Sequence, residues 1–200
     1  MMRVNWLPRP RLVRDRRAMA AVEFALIAPA LIFIVMGVFE MSLRFRASNE
    51  ATRYVHEVAD LVARDDSATS ADLRSIYNAS IQMMKPVTTT NGLDLDVVAI
   101  GYQNNNAKDP YILWRRYSGS QVSFSLTQAA GLADVGESVV RVGLRYQYQS
   151  VITTLFGGSA VAMERFAYAR PRDNRLIQMD GMTDMSGQGA GVSPKQVDTF

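Results

Sequence analysis

The chain has 200 residues, a formal net charge of +3, one histidine and no cysteine, with a mean hydropathy of −0.04. That length holds one membrane segment and one small domain, and that hydropathy excludes a polytopic membrane protein. The missing cysteines exclude disulfides and thiolate metal sites, and the lone His56 leaves no set of histidines for catalysis or metal binding.

The charge is unevenly placed. Residues 1–17 carry Arg3, Arg9, Arg11, Arg14, Arg16 and Arg17 against the single acid Asp15. Beside an apolar run, such a basic end is a topology signal rather than a nucleic-acid contact. Residues 18–39 follow with one charge, Glu23. A helix of that length covers about 33 Å, enough for a bilayer core. The arginines put the N-terminus on the cytoplasmic side and the rest of the chain beyond the inner membrane, in the periplasm. Arg44 and Arg46 weaken that bias without reversing it.

Three readings of this segment compete. A secretory signal would use the small residues of Ala28-Pro29-Ala30, but the apolar run continues past them. A plain single-pass anchor would carry Glu23 incidentally, with a small gain from the helix dipole. The third reading gives Glu23 a task, because an ionisable group in hydrocarbon is costly and marks function.

The residues themselves carry that third reading. A basic leader, a small residue (Ala18), then Met19-Ala20-Ala21-Val22-Glu23-Phe24-Ala25-Leu26-Ile27-Ala28-Pro29 resembles the TadE-like minor pilins (pseudopilins) of tight-adherence, Flp-type pilus systems. The resemblance implies cleavage between Ala18 and Met19 by a prepilin peptidase, which makes Glu23 the fifth mature residue. It implies that Glu23 pairs with the new amine of a neighbouring subunit, so that register is specified where a slip would strand both charges. It also implies other pilin-like subunits and pilus assembly proteins as partners, and extraction into a pilus as one fate. Ala18 stands where a glycine is commoner across pilins. The larger TadG-like relatives carry an added adhesion domain, and this chain is expected to be too short for one.

Residues 40–66 contain no Pro or Gly. Met41, Phe45, Ser48, Thr52, Val55, Ala59 and Val62 recur at spacings of four and three, a partly apolar seam suited to lying on a sheet. One helix is expected from about 20 to 64, with Pro29 as a kink. Ser70 is the expected N-cap of a second helix, whose inner face is Leu73, Ile76, Tyr77, Ser80, Ile81 and Met84, ended by Lys85-Pro86.

Beyond Pro86 the period changes to two. Residues 93–102 read as a strand, with Asp94 and Asp96 on a solvated face; the spacing of a calcium loop is absent. Residues 103–110 form a turn, and 111–117 the paired strand, with its aromatics inward and Arg115 and Arg116 outward. Residues 118–137 are loops around Gly119, Gly131 and Gly136, with a helical turn near 126–132. Residues 138–149 alternate as a half-buried strand with a polar face. A short helical turn follows at 151–156 with Gly157-Gly158 after it, then a last strand at 160–170, ended by Pro171. The segments 139–149 and 166–172 also resemble the TadE-like C-terminal pattern. Residues 173–200 read as a disordered tail.

The expected fold is α+β and pilin-like, a long helix, transmembrane then amphipathic, packed on a small antiparallel sheet. Its parts are a leader (1–18), a membrane helix (19–39), an extracytoplasmic domain (40–172) and the tail. No constellation of catalytic residues, no phosphate loop and no cofactor or metal site is present, so the chain reads as a non-enzyme. The readings that remain are a minor pilin-like assembly protein, acting in adhesion and biofilm formation, and a single-pass inner-membrane protein with a periplasmic binding or sensing domain.

Overall fold

The computed structural model describes residues 16–65, 67–84, 88–102, 109–155, 159–172, 176–179 and 197–199. The basic leader through Asp15, Lys85-Pro86, the turn at 103–108 and Gly157-Gly158 lie outside the described residues, as do 173–175, 180–196 and 200 of the tail. The chain divides into two compact units, Met1–Ser42 and Leu43–Phe200.

The first element, α1 (Arg16–Arg64), is one helix of 49 residues that continues through Pro29. It is followed by β1 (Ser67–Ala68), α2 (Ser70–Met84), β2 (Thr88–Tyr102) and β3 (Pro110–Ser118). A 3-10 turn at Leu126–Ala129 precedes β4 (Ser138–Tyr148), α3 (Val151–Leu155), β5 (Val161–Ala169), β6 (Gln178–Met179) and β7 (Val197–Thr199). The expected α+β architecture is present: one long apolar helix and a small sheet whose four long strands are antiparallel.

The sheet order is β5-β4-β2-β3-β7. The three long pairings, β5–β4, β4–β2 and β2–β3, are antiparallel, and β7 adds to β3 in parallel. Strand β2 is therefore central, which explains its length and its apolar content on both faces. One face carries Leu93, Leu95, Val97 and Ala99 of β2, with Val140, Val142, Leu144 and Tyr146 of β4, into the main core. The domain half of α1 lies on that face through Ala47, Ala51, Tyr54, Val55, Val58, Ala59, Val62 and Ala63. The expected seam holds at Val55, Ala59 and Val62 and fails at its N-terminal end. Met41 and Phe45 are exposed, and alanines take the contact positions, because a helix approaches a sheet closely where its side chains are small.

Helix α2 packs beside α1 as its pattern predicts, with Leu73, Ser80 and Met84 buried. Its cap is Thr69 rather than Ser70. The Thr69 hydroxyl oxygen accepts from the Asp72 N–H at 3.1 Å, and the Thr69 N–H donates to Asp72 Oδ2 at 3.1 Å. That reciprocal box satisfies two N–H groups at the start of the helix. The Tyr54 hydroxyl donates to the Ile76 carbonyl at 3.0 Å, and the Tyr77 hydroxyl to the Leu93 carbonyl at 3.2 Å, tying α1 to α2 and α2 to β2.

The opposite sheet face departs most from expectation. Asp96 is fully buried, and so is Arg141 of β4 at 1% exposure. The solvated faces predicted for β2 and β4 are covered by residues 119–137. Asp96 accepts from Arg115 Nε at 3.0 Å and Nη2 at 2.5 Å, and from the Val122 N–H at 3.1 Å. Asp94 accepts from the Ser120 N–H at 2.9 Å. Arg115, Arg145 and Arg141 donate to the carbonyls of Val122, Gln121 and Ser123. The extended segment 120–123 is thus held by side chains of the sheet, which take the place of a neighbouring strand. Gly119 begins it at φ +82°, where a Cβ would fall 2.1 Å from Asp94 Oδ1. Arg141 lies over the rings of Phe124 and Phe166, at 4.5 and 5.6 Å from their centroids. Burial pushes its guanidinium pKa down, and the nearby Asp96 opposes that shift.

Part of the segment read as a disordered tail packs on the domain. Ile177 and Met179 are buried, and Trp114 Nε1 donates to the Ile177 carbonyl at 2.9 Å. Strand β6 pairs with β1 in parallel. The polar composition after Pro171 conceals a short apolar run, Leu176-Ile177-Gln178-Met179, that fills a core position. Trp114 points inward as predicted. Arg116 is buried rather than outward, because it shares the parity of Trp114 on the main-core face, opposite Val97 of β2.

Candidate assembly segment

The first half of α1 is built from residues that do not bury themselves. Met19, Val22, Phe24, Leu26 and Ile27 are more than half exposed, with Leu26 at 75%. An 18-residue window of this helix has mean hydropathy 2.4 and none of it is buried. Among the described residues it is the one helix long and apolar enough to cross a membrane. A surface of exposed aliphatic side chains on a continuous helix fits hydrocarbon, since every backbone group in its interior except at Pro29 can pair within the helix.

Glu23 is exposed on this surface, and Met19 precedes it by four residues. Side chains four apart lie one above the other on a helix. Glu23 and the residue that would carry a new amine therefore share one side. Ala18 and Met19 lie in the first turn, where the first four N–H groups have no acceptor within the helix. Arg16 and Arg17 open the helix. Arg14 lies outside the described residues. Pro29 lies about 1.7 turns beyond Glu23, inside the helix. Its missing N–H leaves the Ala25 carbonyl without its usual donor.

Residues 18–60 match the family model for TadE-like proteins. The TadE-like segment thus covers the apolar run, Glu23, Pro29 and most of α1, and it bears out the resemblance drawn from those residues. It ends before the sheet, so the likeness seen at 139–149 and 166–172 stands on those residues alone. No curated protein and no solved structure matches the chain.

The domain half of the chain offers different chemistry. A groove of about 610 Å³ runs along α1 beside the end of α2, floored by Ala47, Tyr54, Met84 and Tyr148. Its rim is Arg46, Glu50, Arg53 and Glu57. Arg46 Nε meets Glu50 at 2.9 Å, and Arg53 Nε meets Glu57 at 2.7 Å. His56 is exposed on the same helix. Among the described residues, no three His, Cys, Asp or Glu side chains gather as a metal site. Composition gave no hint of the groove, because its floor comes from α1, α2 and β4.

Proposed function

We propose that this protein is a minor pilin-like subunit needed for the assembly or initiation of a tight-adherence, Flp-type pilus, and so for adhesion and biofilm formation. The observation that carries the reading is the TadE-like match over residues 18–60, which contains the one acid of an otherwise uncharged membrane-length run. In this reading the N-terminus enters from the cytoplasmic side of the inner membrane and the α+β domain lies in the periplasm. A prepilin peptidase cuts between Ala18 and Met19. The amine on Met19 then meets Glu23 of a neighbouring subunit. In hydrocarbon a lone carboxylate costs a few kcal/mol, so the pair selects one register. Pro29 weakens the helix just inside the membrane and eases departure from the bilayer. The protein works with other pilin-like subunits and pilus assembly proteins, carries no cofactor and is not an enzyme.

The deciding experiment is N-terminal sequencing of the membrane-bound protein from cells with and without a prepilin peptidase. A Met19 start that depends on the peptidase is the expected result. An intact Met1 start in both would overturn the subunit reading and leave a single-pass anchor with a periplasmic binding or sensing domain.

A further inference from the structure

One end of the sheet lies where the domain half of α1 begins. Arg172, just past β5, donates to Asp60 Oδ1 at 2.9 Å, and Arg165 within β5 donates to Ser48 Oγ at 2.5 Å. Strand β5 and helix α1 therefore advance together. Val161, four residues before Arg165, lies about 13 Å back along the strand. From Ser48 back to Leu43 the helix covers only about 8 Å, so the start of β5 reaches the Leu43 end. Strand β4 finishes there too. Burial raises the pKa of the Tyr146 hydroxyl, and the nearby guanidiniums of Arg165 and Arg44 oppose that rise. Tyr148 and Val161 are the last pair of the two strands, and α3 belongs to the link beyond them. This link is uncharged and its apolar side chains point out. Residues 146–163 contain no charged side chain, Leu155 is 66% exposed and Val161 42%. The uncharged stretch 117–133 differs, because its Phe124, Leu126 and Leu132 pack against the sheet.

We propose that this end of the domain, led by Leu155 and Val161, rests in the headgroup layer of the bilayer that α1 crosses. Chain connectivity decides the occupant. Leu43 follows Phe39, the last residue of the apolar run, by four residues, or about 6 Å of helix. The headgroup layer is about 5–7 Å deep on each side of the hydrocarbon. The end of the domain that holds Leu43 is thus tethered at headgroup depth. Arg44, exposed on α1 at this end, offers a cation to lipid phosphate. An apolar tip with no charge meets the boundary of headgroup and acyl chain without burying an ion. The contact is a second hold on the membrane, placed on the domain rather than on the apolar run. In the subunit reading it must break before α1 leaves the bilayer.

The inference needs α1 to span a membrane and needs neither cleavage nor pilus assembly. Its test uses the full chain in phosphatidylcholine–phosphatidylglycerol vesicles with no peptidase, and alkaline extraction checks the span separately. The chain has no cysteine of its own, so Ser159→Cys and Ala130→Cys each take one environment-sensitive fluorophore. Both residues are exposed, Ser159 in the link and Ala130 beside the Tyr102–Ala129 hydrogen bond at the opposite end of the sheet. With lipid spin-labelled near the headgroup as quencher, the label at 159 should be quenched about threefold more than the label at 130. Adding Leu155→Asp should cut the quenching at 159 by about half or more. Circular dichroism should not change, because the Leu155 side chain is exposed. Equal quenching at the two sites, in chains that resist alkaline extraction, would overturn the proposal and leave the membrane helix in place. So would a label at 159 that the lipid quencher does not reach and that is shielded only at high protein-to-lipid ratio, which marks a neighbouring copy as the cover.

Discussion

The two halves of the chain use charge and apolar surface in opposite ways. In the first half of α1 the aliphatic and aromatic side chains are outside, and a single carboxylate sits among them. In the sheet domain the apolar side chains are inside, and two charged residues, Asp96 and Arg141, are buried with them. Asp96 receives donors from Arg115 and from the Val122 N–H, all supplied by the chain itself. Glu23 receives none from the described residues. Within the domain, Arg141 beside Asp96 is less well supplied: its Nε and Nη1 are buried without a hydrogen-bond partner among the described residues, and its guanidinium lies against the Phe124 and Phe166 rings. The helix has exposed apolar surface and one exposed carboxylate within it. In the proposed function, that contrast separates a part that folds from a part that assembles.

Breaking the helix side of the contrast should have the largest effect on function and the least on folding. Glu23→Ala should leave membrane insertion and the domain unchanged while reducing pilus output at least about tenfold, as the loss of a paired buried charge implies. Pilus counts beside membrane fractionation check this, and normal output from the mutant would sink the pairing role. Breaking the domain side should do the reverse. Asp96→Ala strands Arg115 beside the already buried Arg141, and should cost about 3–5 kcal/mol of stability. Urea unfolding of the protein in detergent reads it. A loss below about 1 kcal/mol would mean that water reaches Arg115 and that the covered face is not sealed.

The two halves were also unequally legible. The apolar run, Glu23 and the basic flank lie within about 25 consecutive residues, so their chemistry can be read from order alone. The inner face of α2 and the alternation of β4 were readable for the same reason, since each is local. What escaped depends on contacts far apart in sequence. Asp96 was expected in water because alternation shows which residues share a face, not whether something covers it. The cover is residues 119–137, whose Gly, Ser and Gln content reads as loop. Along α1 the expected seam was right at Val55, Ala59 and Val62, but its start escaped because apolarity draws the eye to Met41 and Phe45, while the sheet accepts Ala47 and Ala51.

The packed piece of the tail sharpens the limit of the domain. Ile177 is fully buried and its carbonyl accepts from Trp114. Ile177→Ala should cost about 2–5 kcal/mol, as truncation of a large buried side chain does. Thermal unfolding of the full chain tests it. A change within about 0.5 kcal/mol would show that the domain ends near Pro171 and that this run is only laid against it.

The smallest expected effect concerns how dry the covered face is at its far end. The Tyr102 hydroxyl donates to the Ala129 carbonyl at 2.7 Å. Burial pushes its pKa up from 10.0 to about 12, Tyr168 adds to the rise, and Arg170 opposes it. The folded state therefore holds this proton more tightly than the unfolded chain. Its contribution to stability is whole below pH 10 and is lost as pH climbs from there through about 12. Tyr102→Phe should cost about 1 kcal/mol at neutral pH, the worth of one hydrogen bond. It should also make the alkaline decline shallower, though Tyr111 and Tyr146, likewise raised by burial, keep part of it. Urea titrations at several pH values between 8 and 11.5 compare the two slopes. Equal slopes would mean that Tyr102 ionises as freely in the folded domain as in the unfolded chain, and that the cover over β2 admits water where it meets the strand's end.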